Sequence, residues 1–122
     1  MDELVLIVDD NEANARLARD VLEQAGMRTL SAATAAEALA LAREHEPDAV
    51  LMDLRLPDLD GTEAVRQLAA DDRTARIPVL AGSAIPFEDA AWFREAGFAD
   101  YVEKPIDVRE LPGRVRRHCA RG

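Results

Sequence analysis

The 122-residue chain has few of the features that mark secreted and membrane proteins. Its one cysteine, Cys119, cannot form an internal disulfide and agrees with a reducing compartment. No apolar run approaches the roughly 18 residues that a membrane-spanning helix needs. The first residues, Met-Asp-Glu, contain no basic segment of a signal peptide. We therefore expect a cytoplasmic protein without membrane insertion.

Positive charge is also scarce. Fifteen Lys and Arg residues stand against 24 Asp and Glu, a formal net charge of -9. This balance opposes the phosphate attraction that dominates nucleic-acid binding, so we expect no direct nucleic-acid partner. Lys104 is the single lysine, and all other cationic side chains are arginine. The lysine ammonium is a compact, mobile point charge, whereas the arginine guanidinium is a planar fork. We therefore expect position 104 to require the compact charge.

Strand and helix patterns alternate five times along the chain. The predicted strands are residues 4–8, 27–32, 49–53, 77–83 and 98–103, and the predicted helices are 12–25, 34–44, 62–70, 87–96 and a last one opened by a capping box at 107–110. This alternation predicts an α/β domain in which right-handed crossovers join parallel strands and helices cover both faces.

Capping residues set the predicted helix ends. Asn11, Thr34 and Thr62 are expected to cap the first three helices. Pro112 and Gly113 are expected to kink or weaken the last helix, since proline removes a helical hydrogen bond.

The continuity of the apolar runs predicts the strand order. The second and fifth strands are the least continuously apolar and belong at the edges, while the first, third and fourth are buried on both faces. A doubly wound, five-stranded sheet of order 2-1-3-4-5 satisfies this pattern. Its reversal point lies between the first and third strands, where open α/β sheets place their sites.

Acidic side chains follow both strands at that reversal point. Asp9 and Asp10 follow the first strand and Asp53 ends the third, so three carboxylates should converge. Two unit charges about 4 Å apart repel by roughly 4 kcal/mol at the effective dielectric of a protein surface, so such a cluster takes up protons or holds a cation. All-oxygen ligands with room for water favour Mg²⁺.

Two further polar residues follow strands of the same sheet. Ser83 ends the fourth strand and Lys104 follows the fifth. A carboxylate nucleophile, a metal, an ammonium and a hydroxyl are together the parts of a phosphoryl-transfer site.

This combination resembles the receiver domain of two-component response regulators, in its stand-alone, chemotaxis-type form with a flavodoxin-like sheet. The resemblance covers residues 4–115 and rests on Asp9-Asp10, Asp53-Leu-Arg-Leu-Pro57, Asp60-Gly61, Ser83-Ala84 and Asp100-Tyr101-Val-Glu-Lys104-Pro105. It implies one receiver domain over residues 1–122, and we expect no output domain.

The resemblance also implies roles for the acids at the reversal point. Asp53 would accept the phosphoryl group. Asp10, Asp53 and the backbone carbonyl of Arg55 would bind Mg²⁺ directly, and Asp9 would bind it through water.

The resemblance implies a switch as well. Ser83 would bond one phosphoryl oxygen and Lys104 another, and Tyr101 would swing inward as Ser83 moves. Helical periodicity predicts that Phe93 faces the core and that Trp92 is partly exposed, so that Trp92 and Tyr101 would share a partner face.

A receiver of this kind would be a signalling protein rather than an enzyme, catalysing only its own phosphorylation and dephosphorylation. Its partners would be a sensor histidine kinase or histidine phosphotransfer protein and a downstream protein target. We expect a monomer or a weak, phosphorylation-dependent dimer.

Three positions are particular to this chain. Ser83 stands where threonine is more frequent in the family. Arg55 lies two residues after the acceptor, where the family's side chains influence phosphoryl loss. Gly82 is expected to add backbone freedom beside Ser83.

Three alternative interpretations use the same pattern. A haloacid dehalogenase-type phosphatase needs an aspartate two residues after its nucleophile, where Arg55 stands. A flavodoxin needs a Gly, Ser and Thr-rich phosphate loop, whereas Asp9-Asp10-Asn11-Glu12 would repel phosphate. A degenerate receiver that binds partners without phosphorylation stays open, although every group that the chemistry needs is present.

Overall fold

The computed structural model describes residues 3–83, 90–104 and 106–119. Strands and helices alternate throughout these residues. The strands are β1 (Leu4–Val8), β2 (Arg28–Ala32), β3 (Ala49–Asp53), β4 (Val79–Ser83) and β5 (Asp100–Glu103). The helices are α1 (Glu12–Gln24), α2 (Ala35–His45), α3 (Gly61–Ala70), α4 (Ala90–Ala96) and α5 (Leu111–His118).

The strands form one parallel sheet in the order β2-β1-β3-β4-β5, which confirms the predicted order. The less apolar strands β2 and β5 lie at the edges. Val8 pairs with Met52, so the residues that follow, Asp9 and Asp53, leave neighbouring strands side by side. The reversal point therefore has a carboxylate on each side.

Helices cover both faces of the sheet. Alternate side chains of the strands point to opposite faces, as Leu6 and Ile7 on β1 do. The face that includes Leu6 packs against α2, α3 and α4. The face that includes Ile7 packs against α1 and α5. The strand residues of both cores are buried, so the sheet is a rigid support for the loops at its carboxyl edge.

Most helix ends agree with the prediction, but two differ. Asn11 caps α1 by accepting the N–H of Asn14 at 3.1 Å. The cap of α3 is Asp60, which accepts the N–H of Thr62 at 3.0 Å, so the prediction that Thr62 is the cap is wrong. Both residues have capping chemistry, and the cap lies two residues earlier than the sequence pattern suggests.

The last helix also begins later than expected. Asp107 forms a turn with the N–H of Arg109, at 3.0 Å, and does not cap α5. Since α5 starts at Leu111, Pro112 lies in its first turn, where its missing N–H needs no partner. The predicted kink is therefore wrong. The predicted start of the fourth helix, residue 87, lies outside the described residues. Among the helices of the described ranges, none is long and apolar enough to cross a membrane.

The loop between β3 and α3 caps α2. Asp58 accepts the N–H of Ala35 at 2.8 Å and the N–H of Ala36 at 3.0 Å, one with each carboxylate oxygen. Thr34, the predicted cap, accepts the N–H of Glu37 at 3.2 Å. The hydrogen bonds from Ala35 and then Ala36 hold the pKa of Asp58 below its ordinary value. The segment that follows Asp53 is thereby attached to the start of α2.

This cap predicts a pH-dependent effect of Asp58→Asn. The amide keeps the shape but loses the charge and one acceptor, so the melting temperature at pH 7 should fall. A lowered folded-state pKa stabilises the protein above the ordinary aspartate value of about 3.9, and this contribution disappears as pH falls through the folded value. Thermal melts from pH 2 to 7 should therefore show the two proteins converging at low pH. The exposed Asp72→Asn is the control, and an equal shift for both variants would contradict the prediction.

Candidate functional site

Three carboxylates meet at the carboxyl ends of β1 and β3. One oxygen from each of Asp9, Asp10 and Asp53 lies within 4.8 Å of the other two. The side chains of Asp9 and Asp53 are 8% and 17% exposed, whereas Asp10 is exposed. The convergence predicted from the strand ends is therefore present in the structure.

The backbone orients two of these acids. Asp9 accepts the N–H of Asn11 at 2.9 Å, and Asp53 accepts the N–H of Arg55 at 3.1 Å, each through Oδ1. The carboxylate of Asp10 makes no hydrogen bond or ion pair to another residue that the structure describes. Both Asp10 oxygens are thus available to a ligand from outside the protein.

Lys104 joins Asp9, which is buried, to Asp53, which is partly exposed. Its Nζ donates to Asp9 Oδ2 at 2.9 Å and to Asp53 Oδ2 at 3.1 Å, and its side chain is 15% exposed. Burial acts to lower the pKa of Lys104, but the hydrogen bonds and negative charges of Asp9 and Asp53 outweigh it, so the pKa lies above the ordinary value. Lys104 is therefore an ammonium at neutral pH.

Gly61 holds the loop after Asp53 close to the strand. A Cβ at this position would lie 2.7 Å from the carbonyl oxygen of Asp53 and 2.9 Å from Cα of Leu54. The N–H of Gly61 donates to the Leu54 carbonyl at 2.9 Å, and Arg55 and Asp60 form an antiparallel bridge across the loop. Any side chain at Gly61 would push the loop away from Asp53. In the sequence, Asp60-Gly61 contributes only to the family resemblance, which does not indicate this close approach.

The donor set fits a hard divalent cation. Three carboxylates share a single ammonium, so negative charge is in excess. Mg²⁺ prefers oxygen ligands, needs only one or two carboxylates and keeps several waters, which suits an acidic cluster with one exposed member. The pocket is consistent with Mg²⁺ binding and with phosphorylation.

The residues predicted for the switch lie on β4 and β5. Ser83 is the last residue of β4, and its side chain is outside the described part of the structure. Tyr101 stacks on the buried ring of Phe93, with ring centroids 4.7 Å apart and an interplanar angle of 11°. Trp92 is 39% exposed and meets Phe93 edge-on at 5.0 Å. The predicted burial of Phe93 and partial exposure of Trp92 are confirmed.

Comparison with known proteins agrees with this fold and site. Residues 5–116 match the family model described as the response regulator receiver domain. The polar-differentiation response regulator DivK of Brucella anthropi is 43% identical over 109 residues, which span 88% of this chain and 89% of DivK.

Solved structures show the same architecture. A Chloroflexus aurantiacus protein assigned as a response regulator superposes with a TM-score of 0.92 at 33% identity, over 99% of this chain and 100% of that one. The receiver domain of the Pseudomonas aeruginosa sensor histidine kinase PA1611 has a TM-score of 0.87 at 32% identity, over 97% and 98% of the two chains. That structure holds a magnesium ion coordinated in its active-site cleft.

The doubly wound sheet and the acidic pocket at its reversal point place the chain in the class of flavodoxin-like α/β proteins. The sites of such proteins lie at the carboxyl ends of the strands. Within that class, the chain belongs to the response regulator receiver domain family. Receiver domains are signalling proteins of two-component systems rather than classical enzymes, and the family implies histidine kinases or phosphotransfer proteins as partners. This assignment replaces the phosphatase and flavodoxin alternatives.

Proposed function

We propose that Asp53 accepts a phosphoryl group from the phosphohistidine of a sensor histidine kinase or histidine phosphotransfer protein. A carboxylate oxygen of Asp53 would form the new P–O bond as the P–N bond breaks, with the bonding electron pair left on the histidine nitrogen. The observation that carries this proposal is the position of Asp53 between a backbone N–H and the Lys104 ammonium, within the cluster of three carboxylates.

Asp53 suits this role better than its two acidic neighbours. Both oxygens of Asp9 and both oxygens of Asp53 accept hydrogen bonds, but Asp9 is the more enclosed, with a side chain 8% exposed against 17% for Asp53. Asp10 is exposed, and no described residue orients its carboxylate. A nucleophile needs both access and a fixed direction of attack. Asp53 combines partial exposure with one oxygen oriented by the backbone.

The neighbouring groups would offset the charge of the phosphoryl group. Asp10, Asp53 and the backbone carbonyl of Arg55 would hold Mg²⁺ directly and Asp9 would hold it through water, and the ion would supply positive charge to the phosphoryl oxygens. Phosphorylation of Asp53 would convert its carboxylate into an acyl phosphate whose negative charge lies on the phosphoryl oxygens, and the Lys104 ammonium would follow that charge. The chain would thus catalyse only its own phosphorylation and dephosphorylation.

The first test replaces the acceptor. Asp53→Asn keeps the side-chain volume and removes the nucleophile, so it should keep the wild-type circular dichroism spectrum and gain no phosphoryl mass in Mg²⁺ and acetyl phosphate. The exposed Asp72→Asn, treated identically, should be labelled like the wild type. Full labelling of Asp53→Asn would remove Asp53 from the mechanism, and an unlabelled wild type would favour the degenerate receiver.

The second test concerns the metal. Asp10→Ala should lose the rise in melting temperature that Mg²⁺ gives the wild type, and its labelling by acetyl phosphate should become negligible. Without Mg²⁺ this variant should melt at a higher temperature than the wild type, because one of three mutually repelling charges is gone. Equal labelling of the wild type in excess chelator would contradict the metal requirement.

We further propose that the signal leaves through the face formed by α4, β5 and α5, which would bind a downstream protein. Ser83 ends β4 and Lys104 directly follows β5, the two strands on that side of Asp53, and a hydroxyl contact to the phosphoryl group would exist only after transfer. Such a contact can bias the two conformations because it differs between them. Tyr101 would respond through its stacking on Phe93, next to the partly exposed Trp92.

Ser83→Ala separates phosphorylation from this response. The variant should still gain a phosphoryl group at Asp53, but beryllofluoride should shift the Tyr101 and Trp92 resonances less than in the wild type. The measurement is amide and indole chemical shift, with Asp72→Asn as the control that should respond fully. Shifts concentrated on α1 and α2, with residues 90–104 unchanged, would show that the proposed output face is wrong.

A further inference from the structure

The loop between β3 and α3, residues 54–60, contains the backbone carbonyl of Arg55 that would bind Mg²⁺. The base of this loop is attached close to Asp53. The N–H of Arg55 donates to Asp53 Oδ1 at 3.1 Å, and the N–H of Gly61 donates to the carbonyl of Leu54 at 2.9 Å. Among the residues that the structure describes, none donates a hydrogen bond to the Arg55 carbonyl. The direction of that carbonyl therefore depends on how the rest of the loop is held.

Apolar contacts hold the loop against the sheet. Leu54, Leu56 and Leu59 are partly buried and pack on the core cluster that the sheet shares with α2, α3 and α4. Such contacts are non-directional, so they keep the loop close without fixing the orientation of its backbone. A hydrogen bond has a preferred distance and angle, and a polar contact at the tip of the loop would therefore add what the leucines do not supply.

Asp58 makes this polar contact, and its partners lie outside the loop. Its two carboxylate oxygens accept the N–H of Ala35 at 2.8 Å and the N–H of Ala36 at 3.0 Å, at the start of α2. The first N–H groups of a helix have no partner within the helix. The helix also has a cap of its own, because Thr34 accepts the N–H of Glu37 at 3.2 Å. Without Asp58, α2 would keep a cap, whereas the loop would lose a directional contact.

We propose that Asp58 is a positioning residue for the metal site, because its two hydrogen bonds to α2 fix the loop that presents the Arg55 carbonyl to Mg²⁺. Asp58 lies between Arg55 and Asp60, which face each other in an antiparallel bridge, so a contact at Asp58 acts on both arms of the loop. The support is firm because α2 itself packs on the sheet. The consequence for metal binding rests on the proposed function, but the fixing of the loop does not.

Asp58→Ala and Thr34→Ala form a matched pair. Each removes a cap of α2, and only the first removes a contact of the loop. The measurement is the backbone ¹⁵N order parameter of Arg55, in the protein without metal and without phosphate. It should fall from the roughly 0.85 of rigid backbone toward about 0.6 in Asp58→Ala and remain at the wild-type value in Thr34→Ala. Asp58→Asn keeps one acceptor oxygen and should give an intermediate value.

Titration with Mg²⁺ provides a second readout, followed by the amide shifts of Asp10 and Asp53. The dissociation constant should rise about tenfold in Asp58→Ala, the lower end of what loss of a group that orients a metal ligand costs. Thr34→Ala should bind Mg²⁺ like the wild type. At saturating Mg²⁺, Asp58→Ala should be labelled by acetyl phosphate at the wild-type rate, because Asp53 and Lys104 are unchanged.

The proposal is overturned if Arg55 is as rigid in Asp58→Ala as in the wild type. It is also overturned if Thr34→Ala weakens Mg²⁺ binding as much as Asp58→Ala does, because a general loosening of α2 would then be the cause. Asp58→Asn provides the same test with a smaller change if Asp58→Ala folds poorly. A wild type that binds no Mg²⁺ and takes up no phosphoryl group would remove the proposed function, and the order parameter of Arg55 would still decide the role of Asp58.

Discussion

The ammonium of Lys104, hydrogen-bonded to Asp9 at 2.9 Å and to Asp53 at 3.1 Å, is the contact on which the site depends. Lys104 is 95 positions from Asp9 and 51 positions from Asp53 in the sequence. The order and register of the sheet bring the three residues together. At a protein-surface dielectric each pair of carboxylates about 4 Å apart repels by roughly 4 kcal/mol. One fixed cation reduces that repulsion and still leaves negative charge in excess for a divalent ion.

The elements and their order could be predicted because buried parallel strands are recorded directly in the sequence as continuous apolar runs. The acids could be predicted for a related reason, since the carboxyl ends of parallel strands meet at one edge. The first residue of a helix is harder to predict where two residues with capping side chains lie close together, as Asp60 and Thr62 do. Pro112 was misjudged because its effect depends on which residue begins the helix, and α5 begins at Leu111 rather than at the turn before it.

Close approaches could not be predicted, because they exist only after the elements assemble. Asp58 caps a helix whose first residues lie 23 and 22 positions earlier in the chain, and its own surroundings resemble an ordinary loop. Gly61 and Gly82 have the composition signal of turns and flexible positions. Gly61 is constrained by the backbone carbonyl of Asp53, and a Cβ at Gly82 would come closest to the Lys104 stem.

Strand β5 connects the acidic pocket to the opposite side of the sheet. Lys104 follows its last residue, while Tyr101 on the same strand stacks on Phe93 of α4. Arg114 of α5 donates to the carbonyl of Tyr101 at 2.7 Å, so the strand is also attached to the last helix. Close-packed interiors transmit displacement rather than absorbing it. A shift in the position of the Lys104 side chain would therefore displace β5. This strand has four residues and contacts α4 and α5, the two helices of the proposed output face.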